Sequence, residues 1–508
     1  MLAKTKFIQL SLAAVMITGM LASCASKENE GSNSGAPSAG QGANKATNET
    51  FEVTMAMPAL GAIPKDMQLV QDEINKITKE KINTTVKILP ISIGSWQQQM
   101  NLMSSSGEKL DTYLTIGKSY QSDVAAGKVI ALDSLLDKEG KDVKALFDPD
   151  YLNSARINGK IYGVPPVKDY STGVPGIAMR KDLVDKYKID VASIKNIDGL
   201  DKVFKTIKDN EPNIVPLGVG IAAASDQYFT YDKLGDRFGV LPGFDNNLKV
   251  VNYYETGEYE DLLKKFNSWF KAGYINKDAA TSQINSRELV KANKAFSYLF
   301  SNRIGALEAE SRLIGQEMIF VPLIPSSYAT SSDVLSALWT ISSNSSNPER
   351  TMLFLNLMYT DARIANLLLW GVEGKHYVLG ADNRVDFPPG IDAMTVGYSN
   401  VEWLIGNGLI TYLHKSSPAD KWKLTEESNK KVIKSKALGF TFNSEPVKNE
   451  VTALNNVISQ YKRALETGTI DPTEKLAEFR SKLKAAGIEK VIAEKQKQLD
   501  AWAAANKK

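Results

Sequence analysis

Few residue types in this 508-residue chain could carry out catalysis. It has one cysteine, Cys24, and two histidines, His376 and His414, whose separation fits no metal-ligand pattern. No Gly-x-Ser-x-Gly nucleophile turn occurs. The 58 acidic residues could include a carboxylate pair for glycoside hydrolysis, but their abundance makes that pattern uninformative. These observations argue against zinc and thiol catalysis and predict a protein without enzyme activity, cofactor or metal.

Two glycine-containing fragments imitate nucleotide-binding loops. Gly117-Lys118-Ser119 ends like a phosphate-binding loop, but Thr112 occupies the position where that loop needs a glycine. The fragment 218–223 (GVGIAA) imitates a dinucleotide fingerprint, yet it lies in the middle of the chain and follows a strand-like segment that contains Pro216. We therefore predict that both fragments are structural and that neither binds a nucleotide.

Stacking of aromatic faces on sugar rings is a chemistry that the remaining residues could support. Trp269 and Trp502 lie in amphipathic helical segments and are predicted core residues, whereas Trp422 lies in a charged segment that permits no prediction. Buried tryptophan is common in any core, where its N–H needs only one partner. At least one member of the remaining group is expected to line a ligand cleft, since all four lie near polar or glycine-containing turns: Trp96, Trp339, Trp370 and Trp403.

The first 50 residues carry targeting information. Lys4 and Lys6 precede an apolar stretch from Phe7 to Met20, which predicts a removable secretory signal over residues 1–23. Leu21-Ala22-Ser23-Cys24 resembles the lipobox of bacterial lipoproteins, in which the cysteine sulfur receives a diacylglyceryl group; a chance cysteine at the cleavage site is the alternative. Residues 24–50 contain none of the larger apolar residues and are predicted to be the lipidated cysteine and a flexible linker.

The rest of the chain is too long for one hydrophobic core. Single cores stop growing near about 250–300 residues, so residues 51–508 should form at least two lobes. The formal net charge of +3 is close to neutral and becomes smaller when the signal is removed. Charges of both signs are interspersed along the chain, which argues against a nucleic-acid partner.

Strand and helix patterns alternate along this body. The sequence predicts strands at 51–57, 84–89 and 111–116, separated by helices at 64–81 and 97–104. A second alternation follows, with helices at 187–209 and 259–272 and strands at 214–219, 295–300 and 317–321. Asn347 and Asp471 are predicted helix caps, and Gly487 is predicted to interrupt the C-terminal helix. The pattern predicts two α/β bodies, each with a sheet covered by helices.

Several segments resemble the extracellular solute-binding proteins of carbohydrate importers. Residues 158–165 (NGKIYGVP) resemble the segment before the first hinge crossing, and residues 178–183 (AMRKDL) resemble the strand and helix start after it. Residues 341–361 are similar to the stretch in which a strand leads into a helix that starts with Pro-Glu. The resemblance extends to the long lipoprotein branch of the family 1 solute-binding proteins in three further segments: 371–377 (GVEGKHY), 439–442 and 486–499. A departure occurs at 176–179, where many relatives carry a Tyr-Asn pair.

The resemblance implies a type II periplasmic-binding-protein-like fold of class α/β, with two hinge-linked lobes that each contain a mixed sheet covered by helices. We expect residues 51–173 and 325–375 in the N-terminal lobe, and residues 174–324 and 376–508 in the C-terminal lobe. The implied function is capture of an extracellular carbohydrate, expected to be an oligosaccharide, by lobe closure and its delivery to the permease subunits of an ATP-binding-cassette (ABC) importer. The protein would be a monomer anchored to the outer face of the cell membrane through Cys24. A peptide- or amino-acid-binding lipoprotein, a surface glycoside-processing enzyme and a sensor or adhesin scaffold remain alternatives.

The ligand is expected between the lobes. Aromatic side chains would stack on sugar rings, while Asp169, Arg180 and Glu373 would form hydrogen bonds with hydroxyl groups. A salt bridge across the hinge is the alternative role for Arg180, and turn formation is the alternative for Asp169 and Glu373. The first lobe and the segment that returns to it would contribute Trp96, Tyr120, Asp169, Tyr170 and Trp339. The hinge and the second lobe would contribute Arg180, Tyr228, Trp370, Glu373, Tyr377 and Trp403.

Overall fold

The structure is a computed structural model that describes residues 49–117, 119–393 and 395–506. The predicted signal, the predicted lipidation site Cys24 and the linker up to residue 48 lie outside the described residues. The chain from Glu49 onward forms one compact unit. No helix among the described residues combines the length and the apolar character needed to cross a bilayer.

Nine strands build two sheets. In chain order they are β1 (Phe51–Ala59), β2 (Thr84–Ser92), β3 (Thr112–Ile116), β4 (Gly163–Val164), β5 (Val174–Arg180), β6 (Val215–Leu217), β7 (Ala295–Asn302), β8 (Met318–Pro322) and β9 (Ala337–Ile341). The remaining short strands form small ribbons: Arg156–Ile157 with Lys160–Ile161, Tyr231–Asp232 with Leu241–Pro242, Tyr328–Ala329 with Ile433–Lys434, and Val378–Leu379 with Arg384–Asp386 and Leu413–His414.

Helices of nine or more residues cover these sheets or pack on one another. They are α1 (Met67–Ile82), α2 (Trp96–Ser106), α3 (Leu200–Asn210), α4 (Gly257–Lys271), α5 (Ala306–Ile314), α6 (Pro348–Thr360), α7 (Ala362–Trp370), α8 (Lys421–Lys431), α9 (Lys448–Glu466), α10 (Pro472–Ala485) and α11 (Ile488–Asn506). Shorter helices are Ser119–Ala125, Asp133–Lys138, Lys141–Ala145, Pro149–Asn153, Lys181–Lys186, Ala224–Gln227, Ser286–Lys291 and Ser331–Val334.

The N-terminal sheet brings several strand ends to one edge. Its strand order is β2-β1-β3-β9-β4, with β1 parallel to β2 and β3, and β9 antiparallel to β3 and β4. Strand β1 is buried over its last seven residues, as expected for a strand in a sheet that is covered on both faces. The carboxyl ends of β1, β2 and β3 therefore lie at the edge where β9 begins.

The C-terminal sheet has the same kind of edge. Its order is β8-β5-β7-β6, with β7 parallel to β6 and antiparallel to β5. Because Asn302 at the end of β7 pairs with Val174 at the start of β5, the carboxyl ends of β6 and β7 lie where the chain enters this sheet from the N-terminal one. The chain returns between β8 and β9, so both crossings meet this edge.

The apolar core is divided in the same way. One cluster surrounds the N-terminal sheet, two clusters cover the faces of the C-terminal sheet, and another joins residues 229–263 to helices α9–α11. Residues 398–405, which the sequence placed in the C-terminal lobe, pack on the N-terminal core. The Tyr398 hydroxyl donates to the Leu368 carbonyl there, at 2.7 Å. The boundaries between the lobes stay a prediction, while the two-lobe α/β architecture positions the site described below.

Local signals account for several helix ends. The side chains of Asn347 and Asp471 accept hydrogen bonds from the amides of Arg350 and Thr473, as their cap positions predict. Gly487 has a φ of 94°, which ends α10 and separates it from α11. These predicted boundaries are confirmed.

The predicted helix at 187–209 is wrong over its first half. The structure has a short helix at Lys181–Lys186 and then irregular chain up to α3, interrupted by two 3-10 turns. The Asp190 side chain accepts a hydrogen bond from the Ala192 amide, and the Asn196 side chain accepts two, from Asp198 and Gly199. Such local side-chain bonds offer the backbone an alternative to the helix.

Candidate ligand-binding cleft

A cavity of about 400 Å³ lies at the sheet edges where the chain crosses between the lobes. Lys168 and Asp169 line it from the crossing between β4 and β5, and Arg303–Ala306 line it from the turn between β7 and α5. Its third wall comes from residues 402–425, which include Glu402, Trp403, Leu409, Lys421 and Trp422. We call this space the interlobe cavity. Its volume lies within the range of about 300–1,000 Å³ that is typical of ligand pockets.

Two tryptophans provide its flat apolar faces. Trp403 is half-buried against the N-terminal core. Trp422 belongs to α8 and donates its indole N–H to the carbonyl of Thr411 at 2.8 Å. Within the described chain no group accepts a hydrogen bond from the indole N–H of Trp403. The pair therefore offers ring faces for apolar contact and one indole donor for a polar ligand.

Two of the cations that line the interlobe cavity, Lys421 and Arg303, form ion pairs with carboxylates. The Lys421 ammonium contacts both carboxylate oxygens of Glu402 at 2.9 Å and lies 4.4 Å from the centroid of the Trp422 ring. The Arg303 guanidinium forms an ion pair of 3.3 Å with Asp333 in the neighbouring helix Ser331–Val334. Because these cations already have acidic partners, the cavity suits a neutral, hydroxyl-rich ligand better than an anion.

The crossing segment between β4 and β5 is held in place by Asn429 of α8. The Asn429 amide donates to the Lys168 carbonyl at 2.7 Å, and its oxygen accepts from the Tyr170 amide at 3.0 Å. The Asp169 carboxylate accepts from the Ser171 amide at 2.8 Å, which closes a tight turn. These bonds fix Asp169 in the wall of the interlobe cavity.

Burial lowers the pKa of Lys168 to about 8, and the nearby Arg303 charge adds to the effect. The Lys168 ammonium donates to the Asp333 carbonyl and to the Ser336 hydroxyl, both at 2.8 Å. These bonds hold the Lys168 side chain between the crossing segment and the start of β9. Its position couples the protonation of one lysine to the folded arrangement of the cleft.

A pH dependence of stability follows from Lys168. Its pKa is lower in the folded chain than in the unfolded chain, so the folded state loses the proton first as pH rises. We expect this group to increase the free energy of unfolding by about 1 kcal/mol between about pH 7.5 and about pH 9. Urea unfolding of wild type and of Lys168→Met at both pH values measures the increase, which should be absent in the variant. An equal increase in both proteins would contradict the prediction.

The structure brings two of the proposed ligand residues together in the interlobe cavity, Asp169 and Trp403. Two others line a separate surface cavity of about 530 Å³ between α1 and the turn at 371–377. There Glu373 is exposed, whereas Tyr377 is largely buried with its ring 6.2 Å from that of Tyr412. A ligand role for these four residues stays a prediction.

Four proposed ligand residues are buried in the N-terminal core: Trp96, Tyr120, Tyr170 and Trp339. Their polar atoms are largely used within the fold. The Tyr120 hydroxyl donates to the Ala155 carbonyl, the Tyr170 hydroxyl to the Pro166 carbonyl, and the Trp339 indole to the Leu404 carbonyl. Contact with a ligand would require these side chains to leave the core, so the structure favours a packing role for them.

The last three proposed residues lie elsewhere. Arg180 ends β5 at the edge opposite to Val174 and forms an ion pair with Asp182 at 2.6 Å. Trp370 donates its indole N–H to the Tyr412 carbonyl at 3.0 Å and packs on the N-terminal core. Tyr228 packs on the core of the C-terminal sheet. The structure does not bring these three side chains to the interlobe cavity.

Several residues of the interlobe cavity are absent from the ligand residues predicted from the sequence: Lys168, Arg303, Glu402, Lys421 and Trp422. A usable signal existed for Trp422, because a large aromatic residue within the polar stretch 420–431 has no local apolar face to join. Lys168 and Arg303 carried no comparable signal, since their proximity depends on how the two sheet edges meet.

Comparison with known proteins now identifies the fold family. Residues 61–363 match the family described as bacterial extracellular solute-binding protein. The chain belongs to this family. Residues 436–504 of the solute-binding protein also match a domain of unknown function, DUF3502. The predicted family and the two-lobe α/β fold are confirmed.

Two relatives are similar in sequence. The Streptococcus pneumoniae protein named carbohydrate ABC transporter substrate-binding protein is 30% identical over 463 residues, which cover 90% of this chain and 92% of the relative. Lipoprotein LipO of Bacillus subtilis is 26% identical over 293 residues, which cover 54% of this chain and 52% of LipO. The first relative is named as a substrate-binding protein and the second as a lipoprotein.

Solved structures of the N-glycan transport solute binding protein of Streptococcus pneumoniae are also similar. The structure named without a glycan is 30% identical, covers 90% of this chain and 100% of its own chain, and gives a TM-score of 0.78. The complex with Man1GlcNAc is 29% identical, covers 89% of this chain and 99% of its own, and gives 0.67. The complex with Man5GlcNAc is 30% identical, covers 90% of this chain and 99% of its own, and gives a TM-score of 0.64.

Proposed function

We propose that this solute-binding protein captures an extracellular oligosaccharide in the interlobe cavity and delivers it to an ABC importer. The observation that carries the proposal is the pairing of Trp403 and Trp422 with charge-balanced polar groups in one cleft. Tryptophan faces suit the apolar side of a sugar ring, and fixed polar groups suit its hydroxyls. The carbohydrate-transport relative supports a sugar as the ligand, and the two glycan complexes support one that contains mannose and N-acetylglucosamine.

Capture by lobe closure has separate support. The three N-glycan-protein structures differ little in sequence identity to this chain, yet the TM-score falls from 0.78 without a named glycan to 0.67 and 0.64 in the complexes. A change in lobe orientation accounts for such a difference better than a change in sequence does. On this proposal the present conformation is the open one, and a ligand that contacts both lobes shifts the population toward the closed one.

Closure would act across the interlobe cavity. Arg303 and α5 are attached to the C-terminal sheet, whereas Trp403 packs on the N-terminal core. The two walls approach each other when the lobes rotate about the crossings, so the ligand gains its second set of contacts only in the closed state. The permease subunits would recognise that closed state. The protein would be a monomer, and the lipid on Cys24 would anchor it to the outer face of the cell membrane.

On this proposal the protein releases its ligand chemically unchanged. Both oxygens of Glu402 contact the Lys421 ammonium, and the Asp169 carboxylate accepts a backbone hydrogen bond. Neither carboxyl group is therefore arranged as the proton donor that glycoside hydrolysis requires. Binding without turnover is the behaviour that these contacts favour.

Calorimetric titration of residues 25–508 tests the proposed function. We expect saturable binding of Man5GlcNAc or Man1GlcNAc, with a higher melting temperature of the complex and no cleavage of the glycan on prolonged incubation. Maltotriose and a tripeptide serve as controls that differ in sugar type and in ligand class. Binding of the tripeptide with no response to any sugar would overturn the carbohydrate assignment, and release of free mannose would overturn the assignment as a non-enzyme.

A further inference from the structure

Arg463 joins the C-terminal helices to a loop at the ligand-facing edge of the C-terminal sheet. The loop comprises residues 218–223, follows β6 and is called the β6 loop below. Arg463 lies in the last turn of α9, inside the domain of unknown function at 436–504. We infer that Arg463 positions the β6 loop for ligand binding. We call its contacts with the β6 loop the clamp, and we infer that supplying the clamp is a role of that domain. The inference rests on the proposed function for the class of ligand.

The guanidinium of Arg463 meets five carbonyl oxygens. It donates to Gly220 at 2.7 Å and Ile221 at 2.5 Å in the β6 loop. It also donates to the neighbouring turn at 279–282, through Ala279 at 2.7 Å, Ala280 at 2.9 Å and Ser282 at 2.9 Å. Nη2, which has two hydrogens, shares them among three of these carbonyls, and Nη1 and Nε each donate to one. Because the guanidinium donors lie in a rigid plane, one side chain can hold two backbone segments together. A lysine has a single nitrogen and cannot reproduce this arrangement.

The same helical turn holds the residues that follow the β6 loop. The fully buried Glu466 accepts from the Ser225 amide at 3.0 Å and from the Ser225 hydroxyl at 2.7 Å. The Lys462 ammonium forms an ion pair of 3.1 Å with Asp226. Three side chains of α9 therefore bind residues 220–226 through hydrogen bonds and an ion pair.

The β6 loop lies at the sheet edge that borders the interlobe cavity. Strands β6 and β7 are parallel, so the loop after β6 lies at the same edge as Arg303, which follows β7 and lines the interlobe cavity. With Phe300 and Ser301 from the end of β7, the β6 loop lines a further cavity of about 190 Å³. Its Ile221 side chain is 55% exposed. Ligands of open α/β sheets bind outside such carboxyl strand ends.

The β6 loop cannot hold itself in place with its own side chains. Its sequence, Gly-Val-Gly-Ile-Ala-Ala, contains no polar side chain. A Cβ at Gly220 would lie 2.4 Å from the Ile284 carbonyl oxygen, so the backbones of the two segments are in direct contact there. The loop conformation therefore depends on backbone hydrogen bonds to its surroundings, and Arg463 supplies those for two consecutive carbonyls.

The test compares Arg463→Lys and Arg463→Ala with Arg480→Lys and Arg480→Ala in the intact mature chain. Arg480 lies in α10 of the same domain and donates to the Tyr254 carbonyl at 2.8 Å, away from the β6 loop. Hydrogen exchange without ligand should be about tenfold faster at the Val219 and Ile221 amides in both Arg463 variants. The affinity for Man5GlcNAc should fall about fivefold or more in these variants. Millimolar guanidinium should partly restore both properties in Arg463→Ala.

The outcomes separate the clamp from the proposed function. Wild-type exchange at Val219 and Ile221 in the Arg463 variants, or equal acceleration in the Arg480 variants, would overturn the clamp. A loosened loop with unchanged Man5GlcNAc affinity would overturn its role in ligand binding. If the wild-type protein binds no Man5GlcNAc, the proposed ligand fails, and the exchange measurement alone still decides whether Arg463 holds the loop.

Discussion

Replacing Trp403 with alanine is expected to weaken oligosaccharide binding by about 1–3 kcal/mol, which is about five- to 150-fold in Kd. The indole is half-buried against the N-terminal core and presents a face to the interlobe cavity. Removing it takes away the stacking surface, while the ion pair between Lys421 and Glu402 remains in place. Titration with the glycan that binds wild type best measures the loss, and circular dichroism should show an unchanged fold.

Trp502 offers a matched control for this prediction. It is also half-buried, but it packs on Phe440 with ring centroids 6.0 Å apart, among the C-terminal helices. Trp502→Ala therefore removes the same side-chain volume without touching the interlobe cavity, and the glycan affinity should remain within about twofold of wild type. Equal losses of affinity in the Trp403 and Trp502 variants would show that general loosening, rather than stacking, controls binding.

A second variant asks whether Trp422 shares the ligand. Its ring is held by the Lys421 ammonium on one side and by the bond from its indole N–H to Thr411. Trp422→Ala should weaken binding in the same direction as Trp403→Ala, and the double variant should lose less than the sum of the two if both rings contact one sugar. This comparison reports the proximity of two side chains that the sequence places 19 positions apart.

The sequence predicts local elements well where the signal is local. The strands near residues 51, 84 and 112 have apolar or β-branched runs, and the structure forms all three. The predicted strand ends before Pro58, but in the structure β1 continues to Ala59. There β1 pairs with β2 alone, since β3 pairs only with Met55 and Ala56. The Thr54 amide, four residues earlier, faces the β3 side, so the Pro58 nitrogen also faces that side, where β1 has no neighbour, and no ladder hydrogen bond is lost.

The ligand residues were harder to predict because their burial depends on distant parts of the chain. Trp339 and Trp403 look alike in sequence, each lying beside polar or glycine residues. The structure separates them: Trp339 is buried under residues that follow it by 65 positions, and Trp403 opens onto the interlobe cavity. No periodicity within either segment records this difference. The sequence can therefore identify candidate tryptophans for a sugar site, but it cannot separate those in the core from those that line the cavity.

Trp339→Ala should have the largest effect on stability, about 3–5 kcal/mol, as expected when a buried tryptophan is removed from a core. The side chain is 1% exposed in the central part of the N-terminal sheet. The substitution leaves a large cavity between β9 and the segment that contains Leu404, and it also leaves the Leu404 carbonyl without its indole donor. Urea unfolding followed by circular dichroism measures the loss at equilibrium.

The conservative variant Trp339→Phe separates packing from ligand contact. Phenylalanine fills much of the space but lacks the indole N–H, so the Leu404 carbonyl stays without its donor. We expect Trp339→Phe to recover more than half of the unfolding free energy that Trp339→Ala loses. If Trp339 is a core residue, glycan affinity measured well below the unfolding transition should be close to that of wild type in this variant. A loss of affinity comparable to that of Trp403→Ala, with little loss of stability, would instead place Trp339 among the ligand contacts. Because the indole is buried in the present conformation, that result would also require this edge of the sheet to rearrange when the lobes close.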